Sequence, residues 1–277
     1  KKENRMGTEP IPKLLFSMAI PIMLSMMVQA LYNVVDSVYV SQISESAVTA
    51  LSLAFPVQNL QIGFAVGIGV GVNSLLSKSL GERDQEAANR TAGNGMVLML
   101  IVTVVFMLFG IFGVRPYFEM QSQVAETVEG GAIYTAICCC GALGIFVEVL
   151  GERMLQASGR TIFTLFTQGT GAIVNIILDP VFIFGLKMGT AGAALATAIS
   201  QCVSFVALLW CFLKKQDTLR IRWKLISRDV HDYITIVRVG SPTLCRQGCG
   251  SIASALLNNR AMLYGDAAVA VMSIANR

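Results

Sequence analysis

Long apolar segments separated by short polar runs make up most of the chain and predict a bundle of membrane-spanning helices. A helix needs about 20 apolar residues to cross a bilayer, and seven stretches have that length and character. They cover residues 14–40, 47–77, 93–114, 130–150, 161–184, 190–212 and 234–264. The pattern therefore predicts an all-α polytopic membrane protein with seven spans.

Lysine and arginine alternate between the two sides of these predicted spans. The N-terminal tail and the connections after the second, fourth and sixth spans hold 15 of them, whereas the opposite connections hold only Arg115 and Lys187. Positively charged connections stay on the cytoplasmic side of a membrane. We therefore expect a multi-pass protein of the cell membrane with a cytoplasmic N-terminus.

Composition excludes several other classes of protein. Hydrophobic residues make up 54% of the chain and charged residues 14%, against about 25% charged in soluble domains. The net charge of +4 lies in short connections, so no nucleic-acid partner is expected. The single histidine, His231, lies in a polar run, which excludes a catalytic triad or histidine metal site within the spans. We expect neither an enzyme nor a cofactor.

A weak internal repeat predicts how the chain is divided. Pro21 matches Pro242 at an offset of 221 residues, and residues 45–54 match residues 266–275 at the same offset. Repeats of this kind are a common construction in transporters. We expect a six-helix N-terminal lobe at 1–213, a cytoplasmic linker at 214–232 and, at 233–277, the start of a truncated C-terminal lobe whose missing part is needed for transport.

Two aspartates lie inside predicted spans. A charge at the centre of a bilayer costs about 2.5–3.5 kcal/mol on insertion scales, so such acids usually face a cavity or a partner. Asp36 shares a helix stripe with Asn33 and Gln29, which precede it by three and seven residues, and Asp179 follows Asn175 by one turn. Each helix thus presents a carboxylate beside an amide.

Carboxylate and amide oxygens are suitable ligands for a hard monovalent cation such as Na⁺. Burial beside a second carboxylate also favours binding of a proton. The residues alone leave Na⁺ and H⁺ open as coupling ions, and a purely structural role for both aspartates is the alternative. Glu148, which lies one turn before Glu152 and Arg153, is predicted to have an interfacial or salt-bridged structural role.

The second predicted span combines small residues with amides. Gly63, Gly67 and Gly71 recur at four-residue spacing, a pattern that lets helix backbones approach closely and predicts packing against a neighbour. Gln58 and Gln61 either line an aqueous cavity or form hydrogen bonds between helices. Together with the amides of the first span they are candidates for a substrate cavity: Gln29, Asn33, Gln58 and Gln61.

Motifs spread over the chain resemble the multidrug and toxic compound extrusion (MATE) family. The spacing between them fits that family and is more specific than any one motif. They are Ala19-Ile-Pro21, Ala30-Leu-Tyr-Asn-Val-Val-Asp36, Leu80-Gly-Glu-Arg-Asp-Gln-Glu-Ala87, Leu155-Gln-Ala-Ser-Gly159, Asn175-Ile-Ile-Leu-Asp179-Pro180 and Gly192-Ala-Ala-Leu-Ala-Thr197.

The resemblance implies a twelve-helix transporter of two six-helix lobes, of which this chain holds one lobe plus a seventh helix. It implies an antiporter that exports cationic or amphiphilic drugs and toxic compounds in exchange for Na⁺ or H⁺. Its expected partners are small-molecule lipophilic cations. The cation site of the family's N-terminal lobe maps onto Asp36, Asn175, Asp179 and Thr197.

One departure from the family concerns the seventh span. Some members carry an acid within two turns of its proline, but here Pro242 is followed by Arg246 and no acid, which argues against coupling through the C-terminal lobe. A flippase of lipid-linked oligosaccharides, from the same broad superfamily, is the first alternative function. A membrane channel is a more remote one.

Overall fold

All regular elements are helical within residues 10–41, 45–214, 227 and 229–264, which the computed structural model describes. The helices are α1 Ile11–Ser41, α2 Glu45–Gly81, α3 Gln85–Leu108, α4 Val114–Gln121, α5 Ala125–Cys140, α6 Ala142–Ala157, α7 Thr161–Pro180, α8 Thr190–Lys214 and α9 Val230–Met262. The all-α fold class is therefore confirmed. Most of the linker and the end of the chain (residues 215–226, 228 and 265–277) lie outside the described residues, so the domain bounds and the repeat stay predictions.

Five stretches of the described chain are long and apolar enough to cross a bilayer alone. They are Ile11–Asp36, Thr49–Gly81, Gln85–Gln121, Thr161–Gly185 and Thr190–Cys211. Helices α5 and α6 pass the same test of length and composition as a bent pair, which makes six candidate spans when the pair counts as one. The predicted seventh span is helical as α9, but it is less apolar than these six because it carries polar and basic residues along its length.

The fourth predicted crossing differs from the expected straight helix at 130–150. It consists of α5 and α6, which meet at Gly141 at an angle of 47°. Gly141 leaves the helical conformation with ψ near 1°, and a side chain there would meet the carbonyl oxygen of Ile137 at 3.2 Å. The bend thus occurs where the chain has no side chain to accommodate.

Widened π-helical turns, Phe109–Gly113 and Val181–Gly185, follow α3 and α7. The second begins directly after Pro180, which has no N–H to donate to the carbonyl of Ile176. Backbone hydrogen bonding resumes with a five-residue spacing, because the N–H of Leu186 donates to the carbonyl oxygen of Val181 at 2.9 Å. Such turns recur at functional sites, and this one lies beside Asp179.

The glycine stripe of α2 packs against α9, as its spacing predicts. A methyl group at Gly67 would collide with Leu244, and one at Gly71 would collide with the carbonyl oxygen of Ile236. From the other side, a methyl group at Gly240 would collide with the carbonyl oxygen of Gly67. The two backbones therefore touch directly, and only residues without a side chain permit this distance.

Polar side chains continue the α2–α9 contact beyond the glycines. The Asn59 amide nitrogen lies 3.2 Å from the Ser251 hydroxyl, and the Gln247 amide donates to the Asn59 carbonyl oxygen at 3.4 Å. Hydrogen bonds between membrane helices are typically worth about 0.6 kcal/mol. These bonds contribute more to the relative register of α2 and α9 than to total stability.

Helix α2 lies at the centre of the apolar core. Ile68 and Val72 pack with Phe106 of α3 and with Phe146 and Leu150 of α6. The rings of Phe106 and Phe146 are 5.8 Å apart, within the usual range for aromatic pairs. Large apolar side chains on the outer helices are exposed, as expected for surfaces that face hydrocarbon.

We predict that Gly240→Ala destabilises the chain by about 1–3 kcal/mol, the usual cost of overpacking, because the added methyl group forces α9 away from α2. Gly248→Ala on the same helix is the matched control, since its methyl group meets no atom of the described residues within 4 Å. Thermal unfolding of both purified variants in detergent measures the difference. Equal melting temperatures would show that the α2–α9 contact does not limit stability.

Candidate functional site

Helix α7 carries an amide and a carboxylate one turn apart on its buried face. Asn175 and Asp179 are 1% and 0% exposed. The Asn175 amide nitrogen donates to Oδ1 of Asp179 at 3.4 Å. This face also carries Thr164, Thr167 and Gly171, so α7 presents a polar stripe to its neighbours along most of its length.

Helix α8 adds a hydroxyl group to this pair. The Asn175 amide nitrogen donates its second hydrogen to Thr197 Oγ1 at 3.5 Å, while that hydroxyl donates to the carbonyl of Ala193 at 3.0 Å. Since the hydroxyl proton is used within α8, the oxygen of Thr197 remains an acceptor for the site. Both amide hydrogens of Asn175 are likewise engaged, which leaves its carbonyl oxygen as an acceptor.

Helix α1 brings the second carboxylate. Asp36 is buried, with 8% of its surface exposed, and it lies close enough to Asp179 for their carboxylates to interact electrostatically. Helix α1 packs mainly on α7. The structure thus brings together the four side chains proposed as a cation site: Asp36, Asn175, Asp179 and Thr197.

On α7, two buried oxygens of this group have no hydrogen-bond donor among the described residues. They are Oδ1 of Asn175 and Oδ2 of Asp179. A buried acceptor without a donor costs about 1–3 kcal/mol, and more when it is charged. A cation that binds oxygen, or a proton on the carboxylate, removes that cost. The arrangement is chemically suited to either ligand.

One amide of the first span, that of Asn33, does not lie on the inward helix stripe expected for it beside Asp36. The Asn33 side chain is exposed and donates to the carbonyl of Gln29 at 2.9 Å. Tyr32, one turn before Asp36, lies on the inward side and interacts with both Gln29 and Asp36. Tyr32 is a site residue that sequence reasoning missed, although its four-residue spacing from Asp36 is the signal that identifies it.

Gln58 and Gln61 of α2 form hydrogen bonds to α5, one of the two roles considered for them. Gln58 donates to the Tyr134 hydroxyl at 3.1 Å and contacts the Cys138 sulfur at 3.7 Å. Gln61 is 1% exposed and donates to the Cys138 carbonyl at 3.4 Å. These hydrogen bonds join the central helix α2 to α5.

Glu148 differs from its predicted interfacial role. It is 7% exposed, as is Glu152 one turn later, and it lies beside Tyr32 of α1 and Ser204 of α8. Its burial places it inside the bundle, and its structural role stays a prediction.

Comparisons with known proteins identify the family of the chain. The MatE family model matches residues 21–181. The multidrug export protein MepA of Staphylococcus saprophyticus is 24% identical over 260 residues, which are 94% of this chain and 58% of that protein. The chain thus spans about 60% of the length of the curated relatives it matches.

Solved structures agree with that match. An inward-facing multidrug resistance MATE family transporter of the MOP superfamily has a TM-score of 0.85 at 32% identity, with 94% of this chain and 60% of that chain covered. The MATE multidrug transporter DinF-BH has a TM-score of 0.92 at 31% identity, with 99% of this chain and 63% of that chain covered.

These matches confirm the resemblance carried by the sequence motifs. The family model covers more than half of the chain, and the solved relatives superimpose on nearly all of it. The protein belongs to the MatE family, the multidrug and toxic compound extrusion family.

Proposed function

We propose that this chain is the N-terminal lobe, with the first helix of the second lobe, of an antiporter that exports cationic or amphiphilic compounds in exchange for Na⁺ or H⁺. The exporter lies in the cell membrane with its N-terminus in the cytoplasm. The observation that carries the proposal is the convergence of Asp36, Asn175, Asp179 and Thr197, where two buried oxygens of α7 have no donor in the part of the chain that the structure describes. The names of the relatives, which describe multidrug export and multidrug resistance, support the same function.

Helix α1 is the element that cation binding affects most directly. Asp36 reaches Asp179 across the α1–α7 contact, whereas the other faces of α1 carry exposed apolar side chains such as Phe16, Met23 and Leu31. When both carboxylates are ionised they repel, and α1 is held less tightly against α7. A bound cation or proton removes the repulsion and draws α1 onto the lobe.

The exported compound competes for the same negative charge. A lipophilic cation that enters from the cytoplasm is attracted to Asp36 and Asp179 while they are ionised. Loading of the coupling ion neutralises the carboxylates and repacks α1, so the compound loses its electrostatic partner and is displaced outward. Rocking of one lobe against the other then completes the cycle.

A lipid-linked oligosaccharide flippase is less well supported by the charges of the lobe. Its cavity would need several cations to bind phosphate. Among the described residues, the buried acids are Asp36, Glu148, Glu152 and Asp179. The basic residue Arg153 directly follows Glu152 in α6. Its side chain faces α2, where its Cγ lies against Gly69.

We predict that the purified chain in detergent is stabilised by its coupling ion, by about 2.7 kcal/mol at a hundredfold excess over Kd. A saturable shift in melting temperature with Na⁺ but not K⁺ indicates a sodium site. For a proton, stability falls as the pH rises between about 5 and 8, because the folded chain then holds more protons than the unfolded chain.

Asp36→Asn and Asp179→Asn should each remove the part of the response that this site contributes. Glu126→Gln, which neutralises an exposed acid of α5, should leave the response intact. A response that both aspartate variants leave unchanged would disprove the proposed cation site.

We also predict that Asp36→Asn slows efflux of a fluorescent lipophilic cation at least tenfold, because the exchange of ion for compound loses its shared carboxylate. The measurement uses cells that express the native-length protein, with Glu126→Gln as the control and expression levels matched. Undiminished efflux in Asp36→Asn would exclude the coupling mechanism.

A further inference from the structure

Glu148 and Glu152 form a second acidic group, the inner glutamate pair, that the cation site does not use. They lie one turn apart on α6, and each is 7% exposed. Two carboxylates that close together interact electrostatically. Their burial inside a membrane bundle is costly unless a cation accompanies them.

Oxygen and amide groups from two other helices surround the inner glutamate pair. Thr167 Oγ1 of α7 lies 3.5 Å from Oε1 of Glu152, and Gln168 is a further hydrogen-bond partner of that carboxylate. Ser204 of α8 lies against Glu148, and its hydroxyl donates to the Thr167 carbonyl at 3.2 Å.

The charged and titratable groups near the pair do not provide a simple counter-ion. Tyr32 of α1 interacts electrostatically with both glutamates and with Asp36. Arg153 interacts with Glu152, but its guanidinium donates to Gln156 at 2.9 Å and its stem lies against α2. One guanidinium cannot neutralise two carboxylates when both are ionised.

An unsatisfied hydroxyl lies near the Glu152 end of the pair. Thr164 is 2% exposed, and its Oγ1 has no hydrogen-bond partner among the described residues. It lies one turn from Thr167 on the buried face of α7. Helices α6 and α7 run antiparallel, and Glu152 lies opposite Thr167. Thr164, three residues earlier in α7, therefore lies opposite the turn between Glu152 and Gln156.

The inner glutamate pair is separated from the first cation site along α7. Thr167 and Asp179 are 12 residues apart, which is about 18 Å of helix. Gly171 lies between them and is packed against Ser204. On α8, Thr197 and Ser204 lie on one stripe. Polar groups therefore line the α7–α8 contact from one acidic group to the other.

We propose that the inner glutamate pair, with Thr164 and Thr167, is a second binding site for a small monovalent cation, H⁺ or Na⁺. The identity of that cation rests on the proposed function, since it would be the coupling ion on its way between the first site and the opposite membrane surface. The site supplies two carboxylates and two hydroxyl oxygens, ligands that suit a proton shared between acids or a sodium ion.

The experiment compares the melting temperature of the purified chain over Na⁺ concentration, at constant ionic strength, and over pH. The variants are Glu148→Gln/Glu152→Gln for the inner glutamate pair, Asp36→Asn/Asp179→Asn for the first site, and all four substitutions together. Each group of variants should remove part of the wild-type response, and the combination should remove all of it. A response to Na⁺ identifies sodium, whereas a response to pH alone identifies the proton.

Other outcomes separate the two proposals. If the aspartate variant already loses the whole response, the inner site is overturned and the proposed function stands. If only the glutamate variant loses it, the inner site stands and the first site fails. If the response is unchanged in both groups of variants, both proposals are overturned.

Thr164→Val provides a test that retains both carboxylates. It removes the unpartnered hydroxyl, so we expect the apparent affinity of the inner site for its cation to fall at least threefold. Thr135→Val is the matched control, because Thr135 of α5 also has a buried hydroxyl without a partner among the described residues and lies outside both sites. Equal effects of the two valine variants would overturn a ligand role for Thr164.

Discussion

The cost of removing a carboxylate from water is the constraint on which this lobe depends. Inside a bilayer, the helices must supply every partner that water would have provided. Asp36 and Asp179 meet this constraint by lying on facing surfaces of α1 and α7, where one amide and one hydroxyl are also directed. The position of α1 on the lobe is therefore tied to the charge on two side chains.

Backbone carbonyls determine which atoms of the site remain available. The hydroxyls of Thr197, Thr167 and Ser200 donate their protons within their own helices, at 3.0, 3.0 and 2.8 Å. In a membrane helix, a threonine that bonds in this way presents its oxygen lone pairs to its neighbours. A polar stripe made of such residues attracts cations even though it contains neutral groups.

Sequence patterns predicted the helices and the individual acids well, because both depend on local periodicity. Asp36, Asn175 and Asp179 could be selected from their spans, but Thr197 was reached through the family resemblance. Glu148 and Tyr32 show the limit of local reasoning. Whether a glutamate near a span end reaches the interface depends on the 47° bend at Gly141, and which side of α1 faces inward depends on its contact with α7.

The glycine stripe was predictable for the same local reason, but its partner was not. Small residues at four-residue spacing indicate a close neighbour without naming it. Only the three-dimensional arrangement shows that α2 meets α9, the helix expected to begin the second lobe. The longest apolar helix of the N-terminal lobe therefore also forms its connection to the rest of the protein.

The touching point of Gly67 and Gly240 divides α9 unequally. Gly240 lies 10 residues after Val230 and 22 residues before Met262, distances of about 15 and 33 Å along a helix. Backbone meets backbone there, and the Leu244 side chain packs on Gly67 one turn further along α9. If α9 turns about this fulcrum as a stiff rod, its far end travels about twice as far as its near end, so a small displacement on one membrane surface becomes a larger one on the other.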